Sequence, residues 1–404
     1  MKNLLYSTII GDICGSVYEF SPERNYSKIN LTDSRSDFTD DTVCTLAVAD
    51  ALMSGKTMAD ATLEWCRRYP GRGYGGMFLQ WLRNGGGAPY NSFGNGSAMR
   101  CSAVGFSARS ADECIHLATA SAHFTHNHPE GIKGAVATAL CIYYLMEGKD
   151  KEFIRENVLR TYYPHYADAK LDSLRPSYRF NETCQETVPQ SILCFLESNS
   201  FEDCLKLCYS MGGDADTMGA IAAPMAYAFY RHIPDYLMAL ASNRLPSEMT
   251  AACRRFDRFA DEVKGRPRVS RAKIITLEPD EVFVFGSNLR GMHNGGAARY
   301  AMDRFGAEPG TGVGMTGRCY AIPTMQGGVE TIVPYVNEFF DYARNHPELK
   351  FLVTRIGCGI AGFKDTEIAP LFKAAYDVTN VLLPTTFWDI LDYMTIPGNE
   401  QSAD

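Results

Sequence analysis

Over roughly its first 260 residues the chain carries few β-branched runs. It has instead stretches of alanine and glycine at helical spacing, such as "GIKGAVATALCIYYLMEG" (131–148) and "TMGAIAAPMAYAFYRHIP" (217–234). Small side chains at three- and four-residue intervals let helix axes approach closely, which restricts this part to helix-on-helix packing. The pattern predicts an all-α domain of many helices over 1–260. Its long glycine-rich connection, residues 70–100 ("PGRGYGGMFLQWLRNGGGAPYNSFGNGSAMR"), exceeds ordinary loop length and is expected to serve function. Near residue 261 the texture changes. "DEVKGRPRVSRAK" is charged and lacks apolar periodicity, so 261–274 reads as a linker. Beyond it "IITLEPDEVFVFGSN" and "LKFLVTRIGCGIAG" are β-rich runs ending in glycine loops, and helical stretches follow at "GGAARYAMDRFGA" and "DTEIAPLFKAAYDV". That alternation predicts an α/β sheet domain over 275–394, followed by a tail at 395–404.

A length of 404 residues accommodates these two units, since one core seldom extends beyond ~250–300 residues. The net charge of −8 gives no support to nucleic-acid binding through a basic patch. Thirteen cysteines without any CxxC spacing fit reduced, buried thiols, and so a cytoplasmic protein. The first apolar run is broken by Gly11 and Asp12 and reads as a core helix, not as a signal peptide. No segment approaches the ~20 apolar residues of a membrane span.

Chemistry-bearing residues gather where loops enter helices. In "DFTDDTVCTLAVADALM" (37–53), Thr39, Asp40, Asp41 and Thr42 precede a helical run, and in "GGDADTMGAIAAPMAYAFY" Asp214, Asp216 and Thr217 do the same. Helix capping alone accounts for one such residue at each start, and two independently capped helices are the plain alternative. An oxygen-only set suits Mg²⁺, Mn²⁺ or Ca²⁺ rather than zinc or copper. Should the clusters meet, each carboxylate pair at ~4 Å would repel by ~4 kcal/mol at an effective dielectric of 20. Cations or protons must offset this, and two divalent ions ~3.5–4 Å apart could bridge such a set. Asp12 and Glu19, seven residues apart, would share one face if they lay on one helix. The glycines of "FGNGSAMR" let backbone N–H groups converge on an anion beside the fixed charge of Arg100. In "THNHPEG", His126 and His128 read as supporting residues rather than ligands, because the oxygen set is complete without them. Trp65, Trp81, Tyr74 and Phe93 flank the glycine loops, where core packing competes with stacking on a base.

GDxxGxxxE, TDDT, GNGSAMR, TH-x-HP and GGDxDT, in that order over residues 1 to about 245, resemble the ADP-ribosylglycohydrolase family of the dinitrogenase-reductase-activating type. The resemblance implies an all-helical fold with a dinuclear Mg²⁺ centre, Mn²⁺ being a possible substitute. It makes Thr39, Asp40, Asp41, Asp214, Asp216 and Thr217 metal ligands and places Glu19 near the cleft mouth. Gly94, Asn95, Gly96, Ser97 and Met99 would line ADP-ribose with His126 close by, and Asp12 and Arg100 join the expected substrate-binding set. The implied reaction is hydrolysis of the bond between ADP-ribose and a protein side chain, arginine first, through an oxocarbenium-like transition state. Asp41 or Asp214 would accept the proton from water, and Glu19 completes the catalytic set. The contrasting readings are a non-catalytic ADP-ribose-binding protein and a hydrolase of ADP-ribosylated nucleic acid; the intact TDDT and GGDADT favour the enzyme.

In the second domain, "FVFGSNLRGMHNGGAARYAMDRFGA" reads as a strand, a glycine loop and a helix whose N-terminus could cradle phosphate. It resembles macrodomain-like modules, with Ser287, Asn288, Asn294, Gly295 and Gly296 similar to their ADP-ribose loop. Gly357 and Gly359, after the second β-rich run, allow close backbone approach to the same ligand.

Overall fold

The computed structural model describes residues 2–264, 268–376 and 378–394, and the chain divides into two compact units, Lys2–Lys264 and a second after Lys264. The expected tail 395–404 and residues 265–267 of the expected linker lie outside the described residues.

The first unit is helical and is organised around α1 (Leu4–Gly15), every residue of which is buried. A helix without a polar face must be wrapped by others. Its principal neighbour is the helix Ala215–Tyr230, whose alanines and glycines reach almost complete burial. The two cross backbone to backbone. A Cβ on Gly11 would lie 2.2 Å from the Gly219 carbonyl oxygen, one on Gly219 would lie 2.3 Å from that of Gly11, and one on Gly15 would lie 2.5 Å from the Cα of Asp216. No side chain fits these positions, so glycine sets the distance between the chain segments that carry Asp12 and Asp216. The Tyr209 hydroxyl donates to the Gly11 carbonyl at 2.8 Å and fixes the same crossing from the side.

Helix α2 (Asp40–Ser54) starts at the TDDT segment. Thr39 is its N-cap, accepting from the Asp41 N–H, while Asp40 and Asp41 sit in the positive first turn. The helix ends at Gly55 with φ 73°, a left-handed stop suited to glycine. Pro129–Met146, opened by Pro129 and capped by the His128 side chain, and Cys184–Glu197 pack against the helix Ala215–Tyr230 and against each other. The helix Ser247–Val263 returns to the N-terminus, where Asp257 accepts from the Leu4 N–H and Lys2 pairs with Asp261. This helix therefore covers the first residues assigned to the linker. Residues 70–100 are likewise not a single loop, because Gly76–Arg83 and Gly96–Met99 are helical.

The second unit is a five-stranded sheet in the order β2-β3-β1-β4-β5. Its strands are β1 (Glu281–Ser287), β2 (Gly314–Thr316), β3 (Cys319–Pro323), β4 (Lys350–Val353) and β5 (Val381–Leu382), with β2 alone antiparallel to its neighbour. Val282 and Val284 of β1 face a cluster built with Val333–Asn345 and Thr385–Met394, and Phe283 and Phe285 face one built with Gly296–Phe305. Both faces of the central strand are thus covered, as a parallel sheet requires. The β-rich runs ahead of the glycine loops located β1 and β4 but not β2, β3 and β5. Residues 268–274, expected in the linker, belong to this unit: Val269 bridges to Leu383, and the Ser270 hydroxyl donates to the Val353 carbonyl at 2.7 Å.

All thirteen cysteines are unpaired and twelve of them are buried. Among the described residues no helix is long and apolar enough to cross a membrane.

Candidate active site

Asp12 organises the first site. Its carboxylate, fully buried, accepts four hydrogen bonds: from the N–H of Thr39 at 2.9 Å and its hydroxyl at 2.7 Å, and from the N–H of Thr42 at 3.1 Å and its hydroxyl at 2.5 Å. The helix crossing described above therefore dictates where the TDDT turn sits. This corrects the expectation for Asp12, which does not line the cavity: its oxygens are engaged with the turn it positions.

The two acidic segments meet. Asp40, Asp41, Asp214, Asp216 and Thr217 line one cavity of about 210 Å³, together with Glu19, Gly94, Asn95, Gly96, Met99, Arg100 and His126. The Thr217 hydroxyl lies 3.2 Å from both Asp41 oxygens, and Asn95 donates to Asp214 at 2.7 Å. Asp12, Asp41 and Asp216 each offer an oxygen within 4.8 Å of the others, and so do Glu19, Asp214 and Asp216. Asp216 belongs to both trios. Asp40 lies against Gly73, where a Cβ would come 3.2 Å from its Oδ1.

Such a cluster is electrostatically expensive. Burial, then the charges of Asp216, Asp12, Asp40 and Asp214, hold the Asp41 carboxyl well above its usual range, and burial followed by neighbouring carboxylates does the same for Asp40 and Asp216. Burial raises Asp12 and Asp214 to about 6 against the hydrogen bonds they accept, and burial with the charge of Asp216 raises Glu19 to about 8. An all-oxygen donor set whose members disfavour each other's charge fits a divalent cation. His126 cannot act as the counter-charge. Burial and nearby Arg100 push its pKa well below the usual value, and its Nδ1 is 2.8 Å from the Thr125 hydroxyl.

Several expectations are revised. Glu19 is not on α1, which ends at Gly15; the turn after the helix brings it to the cluster. Ser97 does not line the cavity, because its hydroxyl donates to the Gly131 carbonyl at 2.7 Å. Thr39 faces Asp12 instead of the cavity. Arg100 is buried in the wall, where Nε and Nη2 donate to the Ser121 carbonyl at 3.0 and 2.8 Å and the guanidinium lies over Phe124, so those donors are not offered to an anion. Trp65, Trp81 and Tyr74 are buried core, whereas Phe93 is exposed and meets His128 edge-on.

Sequence reasoning missed Glu182. It reaches the cavity because Thr183 bridges to Gly94 and the Asn95 N–H donates to the Glu182 carbonyl at 2.8 Å, a long-range pairing without a local signature. The glycines of GGDADT have a packing reason that is visible only in three dimensions. A Cβ on Gly213 would lie 2.5 Å from the Tyr178 ring, and one on Gly212, whose φ is +71°, would meet the Arg24 guanidinium.

In the second unit a separate cavity of about 340 Å³ gathers Ser287, Asn288, Asn294, Gly295, Gly296, Gly357 and Gly359. It lies past the carboxyl ends of β1, β3 and β4, where β1 is flanked by both other strands, the position at which ligands bind open α/β sheets. Asn288 holds its loop by accepting from Arg290 and Met292 N–H groups and donating to the Met292 carbonyl at 2.8 Å.

A family model, ADP-ribosylglycohydrolase, matches residues 1–270, and the chain belongs to this family of glycosidic-bond hydrolases. It is 27% identical over 260 residues to "ADP-ribosylarginine hydrolase Tri1" of Pseudomonas putida (strain GB-1), covering 57% of this chain and 70% of that one. Against "ADP-ribosylhydrolase ARH3" of Bos taurus it is 24% identical over 311 residues, covering 57% and 84%. A shorter match, 30% over 149 residues and covering 35% and 49%, is to "ADP-ribosyl-[dinitrogen reductase] glycohydrolase" of Rhodospirillum rubrum.

The carboxyl shifts give a pH signature. A folded-state pKa above the unfolded value means the folded protein keeps protons the unfolded chain has released. That stability is present at low pH and is lost as pH rises through about 6 for Asp12 and Asp214 and about 8 for Glu19. Divalent cations replace those protons. In thermal melts, Mg²⁺ is expected to raise Tm little at about pH 5.5 and by several degrees at about pH 8; an equal gain at both would contradict the assignment.

Proposed function

We propose that the first unit hydrolyses the glycosidic bond between ADP-ribose and a protein side chain, arginine being the favoured carrier, with two Mg²⁺ ions in the acidic cluster. The observation that carries this is the gathering of Asp40, Asp41, Asp214, Asp216 and Thr217 around one cavity, with Glu19, Asp214 and Asp216 each offering an oxygen within 4.8 Å of the others. When bound, divalent ions supply positive charge for the ribose hydroxyls and acidify a neighbouring water. The chain's own groups account for the remainder. Asp41 or Asp214 would take the proton from water as the water oxygen bonds to the anomeric carbon and the bond to the leaving group breaks. Asn95 orients Asp214, and the Gly94–Gly96 turn presents backbone to the nucleotide. Neutral His126 can accept or donate a hydrogen bond there without adding charge. Glu182 at the wall provides negative charge complementary to a guanidinium leaving group. The named activity of the Pseudomonas putida relative supports arginine as the carrier. Thirteen unpaired thiols support a reducing, cytoplasmic setting.

ADP-ribose release from an arginine-ADP-ribosylated protein should require Mg²⁺ and stop with chelator. Asp40→Ala and Asp216→Ala should each lower it by at least ~10³-fold with the fold retained by circular dichroism. Near-normal release by both variants would exclude the mechanism.

The second unit we assign as a macrodomain-like site for ADP-ribose, supported by its cavity past the strand ends and by the Gly295–Gly296 entrance to the helix Gly296–Phe305. Calorimetry on the full chain should count two ADP-ribose sites, and Ile360→Asp, which puts a carboxylate at the exposed rim of the second cavity, should leave one. A single site unaffected by that substitution would refute the assignment.

A further inference from the structure

Phe20 and Phe180 stand out on the surface of the first unit. Phe20 is 78% exposed and Phe180 41%, yet their rings lie 5.8 Å apart at 37° to each other. Each belongs to a segment that also supplies a carboxylate to the active-site wall: Phe20 directly follows Glu19, and Phe180 stands two residues before Glu182. Neither ring lines the acidic cavity itself, so the segments that carry them form its lip and the rings stand outside it, Phe180 also lining a second hollow with Tyr166 and Glu186.

This lip is held in place. Arg24 donates to the Arg175 carbonyl at 2.9 Å and to that of Tyr178 at 2.7 Å, tying the two segments together, and its guanidinium lies over Gly212. Arg179 donates to the carbonyls of Pro176 and Tyr178. Buried Tyr178 in turn donates to the Glu186 carbonyl at 2.7 Å with its ring against Gly213. Two phenyl rings kept in water on a braced lip lose hydrophobic free energy that a bound partner can recover, and paired aromatics at a cleft edge are the usual anchors of such contacts.

The charge beside the rings selects the partner. Glu182, two residues from Phe180, lines the cavity wall and stands outside both carboxylate trios. Its carboxylate repels a diphosphate and attracts a cationic side chain, so the carrier end of the substrate belongs at this lip and the nucleotide end elsewhere along the cavity. Met77, 62% exposed, adds an apolar group to the cavity wall. We propose that Phe20 and Phe180 form the docking surface for the polypeptide carrying the ADP-ribosyl group, seating an apolar side chain next to the modified basic residue. This rests on the function proposed above.

The test compares two probes on the full-length protein with Mg²⁺: a peptide carrying one ADP-ribosylated arginine with an apolar neighbour, and free ADP-ribosylarginine. Phe20→Ser combined with Phe180→Ser should lower kcat/KM on the peptide by ~10-fold, chiefly through KM, and leave the free amino-acid conjugate within about twofold. Phe20→Tyr with Phe180→Tyr should restore the peptide rate. Phe20→Ser alone, at the more exposed position, should give a smaller loss in the same direction with an unchanged melting temperature. Equal loss on both probes would overturn the proposal, placing the rings against ADP-ribose or making them structural; no loss on either would overturn it too. Dissociation of a wild-type dimer by the double substitution would assign the rings to self-association instead. No release of ADP-ribose from either probe by the unaltered protein would refute the proposed function itself, an outcome distinct from these.

Discussion

The active-site geometry depends on one contact, the crossing of α1 with the helix Ala215–Tyr230 through Gly11, Gly15 and Gly219. Because backbone meets backbone there, the separation of the two helices is set by atoms that no rotamer change can move. Asp12 leaves α1 at this crossing and, through four hydrogen bonds, places the first turn of α2. Asp214 and Asp216 arrive from the other partner. One close approach thus brings together carboxylates separated by about two hundred positions in the chain.

That approach concentrates negative charge in a buried space. Hydrogen bonds from threonines and Asn95 relieve part of it, but Asp41 and Asp216 remain among carboxylates whose charges oppose their own. Stability and chemistry are therefore coupled at this site: whatever neutralises the cluster, protons or divalent cations, also determines whether its oxygens are free to orient a ribose and accept a proton.

How much of this is legible in sequence follows from the range of the interactions. The TDDT and GGDADT segments carry their meaning locally, since they combine capping residues in excess of what a helix start needs, and the structure brings both to one cavity. Asp12 was legible as a residue of interest but not in its role, because a carboxylate that caps a neighbouring helix looks in sequence like one that binds a ligand. Ser97 misled for the opposite reason, its hydroxyl being taken by Gly131 from another helix. Glu182 had no signature, as it depends on the pairing of Thr183 with Gly94. In the second unit the glycine and asparagine loops were readable, as was four-residue β4 in its longer apolar run, whereas β2 and β5, of three and two residues, were too short to show a pattern.

The central claim is that the shared-Asp216 cluster holds two divalent ions. The most direct measurement is electron paramagnetic resonance of the metal-free protein titrated with Mn²⁺, in parallel with Asp216→Asn. The account predicts two Mn²⁺ per chain with a spin-coupled signal that the substitution abolishes. One uncoupled ion, or binding that survives the loss of Asp216, would contradict it.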